Sequence, residues 1–190
     1  MRIILLTLFV LLTSVSYDSD AQSRRIFFVA GLPKPAEGGP DTWYDIQAVA
    51  GANNGVNAVL DEQLWATVTV GAAGTATKLR TSVNTFSLAT GVKFGFYNNA
   101  GTLLSTASGT ISGNGDDIEF SLSPTVAVTA TTYKILVVSG LTGGFNYRFL
   151  TGTGTLNYTT TAGQYDLGAP DPLPSGSTVG WNICFGVYVD

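Results

Sequence analysis

The residues best suited to chemistry in this chain are a short run of carboxylates and a scattered set of aromatic rings. The run is Asn114-Gly115-Asp116-Asp117-Ile118-Glu119-Phe120. Asp117 and Glu119 stand two apart, so on a strand they share a face. Asn114, Asp116, Asp117 and Glu119 are hard oxygen donors on a glycine-punctuated turn, the donor type that calcium takes. The ligand spacing of an EF-hand loop is absent. The plainer expectation for the same residues is a solvated turn opening a strand.

The chain has no histidine, and this excludes a great deal. Ser-His-Asp and Cys-His nucleophilic systems both need an imidazole base. Zinc sites usually need several His or Cys ligands, and one cysteine, Cys184, cannot supply them. No glycine-rich loop opens a helix, which removes phosphate-cradling and dinucleotide sites. Paired carboxylates remain. The string Asp117-Ile118-Glu119-Phe120 resembles part of the active-site strand of lichenase-type jelly-roll endoglucanases. In that pattern a nucleophilic Glu precedes the Asp by two positions. Gly115 stands there in this chain, so a retaining mechanism lacks one of its two carboxyl groups. The sequence gives no support for an enzyme.

Aromatic side chains are the other candidates. Trp and Tyr present an apolar face and a polar edge, which suits stacking against sugar rings. Trp65 lies opposite the apolar stripe Leu64, Ala66, Val68 and Val70, and Tyr97 lies opposite Phe94 and Phe96. Trp43 and Tyr44 adjoin a loop, and Tyr188 lies opposite the last apolar stripe. These five are the candidate ligand contacts, with packing as the competing role for each. Trp181 opens an inward stripe and is expected in the core. Cys184 shares a face with Tyr188, either exposed or tucked under a loop.

The N-terminus carries an export pattern. Met1-Arg2 is a positive start, Ile3 to Leu12 is apolar apart from Thr7, and Ser19-Asp20-Ala21 offers small residues for cleavage. A bilayer span needs about 20 apolar residues, so this segment reads as a signal peptide over 1–21 and not as a membrane anchor. Residues 22–190 are then one domain in a secreted or cell-surface protein. Net charge is −4, without the basic footprint that nucleic acid requires. Only 12% of residues are charged, so neutral polar groups must cover the surface.

Periodicity supplies the elements that would position these groups. Apolar–polar alternation recurs, Gly and Thr are abundant, and no sustained helical pattern follows the signal segment. Strands are expected at 26–30, 43–50, 64–70, 75–83, 92–97, 103–107, 117–122, 133–138, 145–150, 153–159 and 181–189. Tyr133 to Val138 is apolar on both faces, which marks a central strand. The Pro-rich stretch Pro170 to Pro174 reads as a loop before the last strand. About ten short strands at regular spacing predict an all-β, two-sheet antiparallel sandwich of jelly-roll type.

The stretch Ala66 to Val70, Gly74 to Leu79, Val92 to Leu104 and Thr132 to Val138 resembles jelly-roll modules of bacterial secreted and surface proteins. That resemblance, over residues 64–139, implies carbohydrate binding or adhesion. The expected partner is a glycan or cell-surface polymer. An alternative is a structural subunit of an extracellular fibre that pairs with copies of itself by exchanging a terminal strand, such as Ile26 to Ala30.

Overall fold

The computed structural model describes residues 41–45 and 55–190, with the backbone alone at 116, 150–154 and 182. The export segment, the strand expected at 26–30 and the second half of the strand expected at 43–50 lie outside the described residues. In chain order the elements are β1 (Thr42–Asp45), β2 (Gly55–Asn57), β3 (Glu62–Thr69), β4 (Gly74–Phe86), β5 (Thr90–Asn98) and β6 (Leu103–Ile111). There follow β7 (Gly115–Val128), β8 (Thr132–Ser139), β9 (Phe145–Thr160), the single-turn helix α1 (Gln164–Leu167), β10 (Ser177–Ile183) and β11 (Phe185–Val189).

The fold is all-β. Its strands form a curled antiparallel sheet in the order β1-β11-β4-β7-β6-β5-β8-β3-β9-β10, with β2 attached to β9. The ladders fall into two groups, β1-β11-β4-β7 and β6-β5-β8-β3-β9-β10. Two links join them. β6 meets β7 at one register pair, Thr106 with Ser123. β9 pairs with β3 and β10 through its later residues and with β4 and β2 through Phe145 to Arg148.

Alternation explains the core. Leu64, Ala66 and Val68 face inward from β3, Phe94 and Phe96 from β5, Leu79 and Val83 from β4, and Phe120 and Leu122 from β7. Burying each large side chain contributes about 1.5–3 kcal/mol. The rings of Phe94 and Phe120 lie 4.8 Å apart, and such a pair adds about 0.5–1.5 kcal/mol. β8 sits between β3 and β5, as its two-faced apolar pattern requires. Ile135 and Val137 join the inner core, while Leu136 and Val138 join a second cluster on the outer face.

Three expectations about strands change. The segments expected at 145–150 and 153–159 are one continuous strand, β9, because the Thr-Gly alternation between them keeps an extended backbone. The last expected strand divides at Cys184, where β10 pairs with β9 and β11 pairs with β4. Cys184 itself is buried. Trp181 is not in the core: it is 39% exposed and stacks on Phe149 at 4.8 Å. It stands on β10, the end strand of the sheet, beside a register shift between Val179 and Trp181.

Candidate functional site

The five aromatic candidates separate into buried and accessible sets. Tyr44 points inward because it neighbours Trp43 on a strand, where successive side chains take opposite faces, and it packs in the core. Trp65 and Tyr97 do stand on the outer face of their strands, but that face is covered. Trp65 is 5% exposed and Tyr97 is fully buried. Tyr165, Ala169 and Leu173, from α1 and the Pro-rich loop, lie over them. Tyr97 donates its hydroxyl hydrogen bond to the Pro170 carbonyl at 2.6 Å. Burial, and then the Asp171 charge, push its phenol above the usual range. The side chains of these three candidates are thus buried and do not lie on an open surface.

The cover is held by specific bonds. The Asp61 carboxylate accepts from the backbone N–H groups of Gly163 and Tyr165, each at 2.8 Å. Lys93 donates to the Asp166 carbonyl at 3.2 Å and lies 4.8 Å from the Tyr165 ring centre. Gly140 makes room: a Cβ there would sit 2.8 Å from Tyr165 Cζ.

Trp43 and Tyr188 remain at the surface, and the fold brings them together. They are register partners on β1 and β11, with ring centres 5.2 Å apart. The Arg80 guanidinium lies 4.2 Å from the Trp43 ring centre, and the Lys78 ammonium 5.7 Å from that of Tyr188. The Tyr188 hydroxyl donates to Asp41 Oδ1 at 3.4 Å.

Two carboxylates of the Asn114–Glu119 run, those of Asp117 and Glu119, reach the same face. Asp117 and Glu119 point outward from β7, as their two-residue spacing requires. Arg80 Nη1 lies 2.9 Å from Asp117 Oδ1, and Lys78 Nζ donates to Glu119 Oε2 at 3.0 Å. That bond and the Glu119 charge raise the Lys78 pKa. Arg80 also forms a two-pronged pair with Asp45, through Nε to Oδ1 at 2.8 Å and through Nη2 to Oδ2. Gly186 lies between them on β11. A Cβ there would meet the Asp45 carboxylate and lie 3.1 Å from Arg80 Cγ. The missing side chain is what lets Arg80 reach across a whole strand.

Of the four calcium candidates, Asn114 is exposed, Asp117 is paired with Arg80 and Glu119 with Lys78, and the Asp116 side chain lies outside the described residues. Among the described residues no group of three or more His, Cys, Asp or Glu gathers around a common centre.

A cleft of about 380 Å³ opens on the same outer surface, where β6 and β7 barely pair. Thr106, Ser108, Ser121 and Ser123 line it with hydroxyls, Lys93 stands at one side, and Leu167 overhangs it. Sequence reading missed these residues and also missed Arg80 and Asp45. One signal was present: Ser121 and Ser123 continue the two-residue rhythm of Asp117 and Glu119. The Asp45–Arg80 pairing spans 35 positions and leaves no local trace.

Comparison with family models, with curated proteins and with solved structures returns no match.

Proposed function

We propose that the chain is an exported, non-catalytic binding module that holds a glycan on the outer face of β1, β11, β4 and β7. The observation that carries this reading is the meeting of Trp43 and Tyr188 at the surface beside Arg80, Asp45 and Asp117. Aromatic faces suit the apolar side of a sugar ring, while carboxylates and guanidinium hydrogen-bond its hydroxyls. Export rests on the N-terminal sequence pattern. A two-sheet, jelly-roll-like description of the curled sheet is part of the same proposal, supported by the single register pair between β6 and β7.

The test is a glycan array followed by tryptophan fluorescence titration of any hit. Binding with loss of response in Trp43→Ala and Tyr188→Ala is expected. No response to any polysaccharide would overturn the proposal.

A second reading, a self-assembling structural subunit, is favoured by the edge strand β10. Among the described residues β10 pairs only with β9. Residues 173–189 carry no charge of the kind that usually protects an open edge. Light scattering across a concentration series tests it: growth in mass supports strand addition, and a strictly monomeric protein opposes it.

A further inference from the structure

We propose that the ligand is an extended, uncharged glycan chain lying across the strands, from Trp43 on β1 to the hydroxyl-lined cleft between β6, β7 and α1. This rests on the glycan reading above and adds the shape, direction and charge of the ligand.

Register carries the argument. Trp43 pairs with Tyr188, Tyr188 with Lys78, and Lys78 with Ser121. These four side chains therefore form one row perpendicular to the strands, on one face. Strands lie about 4.7–4.9 Å apart, so the row covers about 14 Å. It does not stop at Ser121. That residue is on the wall of the cleft, whose far side is built by Ser108 and Lys93, themselves register partners on β6 and β5. An aromatic platform at one end and a hydroxyl-lined recess at the other thus belong to one continuous track. A single sugar ring could fill only a fraction of it.

The composition of the track selects the ligand class. Trp43 and Tyr188 offer ring faces. Thr106, Ser108, Ser121 and Ser123 offer donors and acceptors without charge, over a floor formed by Phe94 and Ala107. Leu167 overhangs the recess at 79% exposure, an apolar side chain placed where the carbon face of a sugar would cover it. Lys78 and Arg80 are held in ion pairs by Asp45, Asp117 and Glu119, and Lys93 is turned to the Asp166 carbonyl and the Tyr165 ring. A polyanionic chain would gain no free cation from Lys78 or Arg80 and would meet three carboxylates.

The experiment is calorimetric titration of the full mature chain with neutral β-linked gluco-oligosaccharides of two to six units, with polygalacturonate as the charged control. Affinity is expected to rise from dimer to hexamer, and polygalacturonate is expected not to bind. Ser121→Asp should weaken the hexamer about tenfold, the equivalent of about two lost hydrogen bonds, and leave the dimer unchanged. Leu167→Asp, at an exposed position, should act in the same way. Circular dichroism confirms that both variants fold. Equal affinity for dimer and hexamer, or no effect of either variant, would overturn the extended track and leave the glycan reading standing. Tight binding of polygalacturonate would overturn the uncharged class. Failure of every neutral oligomer, while another glycan binds and is lost in Trp43→Ala, would overturn this inference alone.

Discussion

Two outer faces of this molecule carry the same pair of residue types and end differently. On β1 and β11 the pair is Trp43 and Tyr188, half-buried at the surface beside Arg80. On β3 and β5 the pair is Trp65 and Tyr97, sealed beneath Tyr165, Ala169 and Leu173. In both cases the ring stands opposite an inward apolar stripe. What separates them is a segment remote in sequence. It lies over one face, anchored by Asp61 and admitted by Gly140, and leaves the other alone. A half-apolar strand face is therefore ambiguous until the rest of the chain has been placed.

The sharpest way to break the comparison is to remove one tryptophan from each face. Trp65→Ala should lose about 3–5 kcal/mol of stability in urea denaturation, the usual cost of emptying an aromatic site in a core. Trp43→Ala should lose about 1–2 kcal/mol, from a half-buried ring and its cation–π contact, while abolishing the fluorescence response to glycan. Equal costs would mean that the two faces are not distinct.

A smaller change should turn the closed face into an open one. Gly140→Ala forces a methyl group against the Tyr165 ring, an overpacking that costs about 1–3 kcal/mol. The expected signature is a red-shifted tryptophan emission and faster proteolysis within 161–173, as Trp65 becomes wet.

The smallest effect concerns carboxylates. Those of the open face have cationic partners, whereas Glu62 Oε2, at the head of β3, is buried without a hydrogen-bond partner among the described residues. Burial raises the Glu62 pKa above its ordinary 4.5. Folding thus favours the protonated carboxyl. The associated stability is present below about pH 4.5 and is lost as pH rises through the folded-state pKa. Glu62→Gln should accordingly raise the thermal midpoint at pH 7, and the gain should vanish at pH 4. A constant gain at both pH values would count against a titrating Glu62.

Much of the sheet was legible because alternation is local. Phe94, Phe96, Phe120 and Leu122 could be placed inward from the rhythm of their own strands. The two-sided apolar pattern of Tyr133 to Val138 marked β8 as central. Trp181 was misplaced because its stripe is real but continues onto β10, the end strand of the sheet, which no local rhythm reveals. Within the candidate site, Trp43, Tyr188, Asp117 and Glu119 were each readable alone. Their meeting was not, since it depends on register between strands separated by up to 145 positions, as Trp43 and Tyr188 are. Tyr44, Trp65 and Tyr97 were indistinguishable in sequence from the two that stayed open.

The length of β9 has a mechanical meaning. Its 16 residues belong to both ladder groups, hydrogen-bonding β3 and β10 along one stretch and β4 and β2 along another. The turn of chain at Cys184 repeats this, handing the chain from the second group, through β10, to the first, through β11. A molecule tied at two points in this way cannot peel one half from the other. Pulled or heated, it should come apart as a single body.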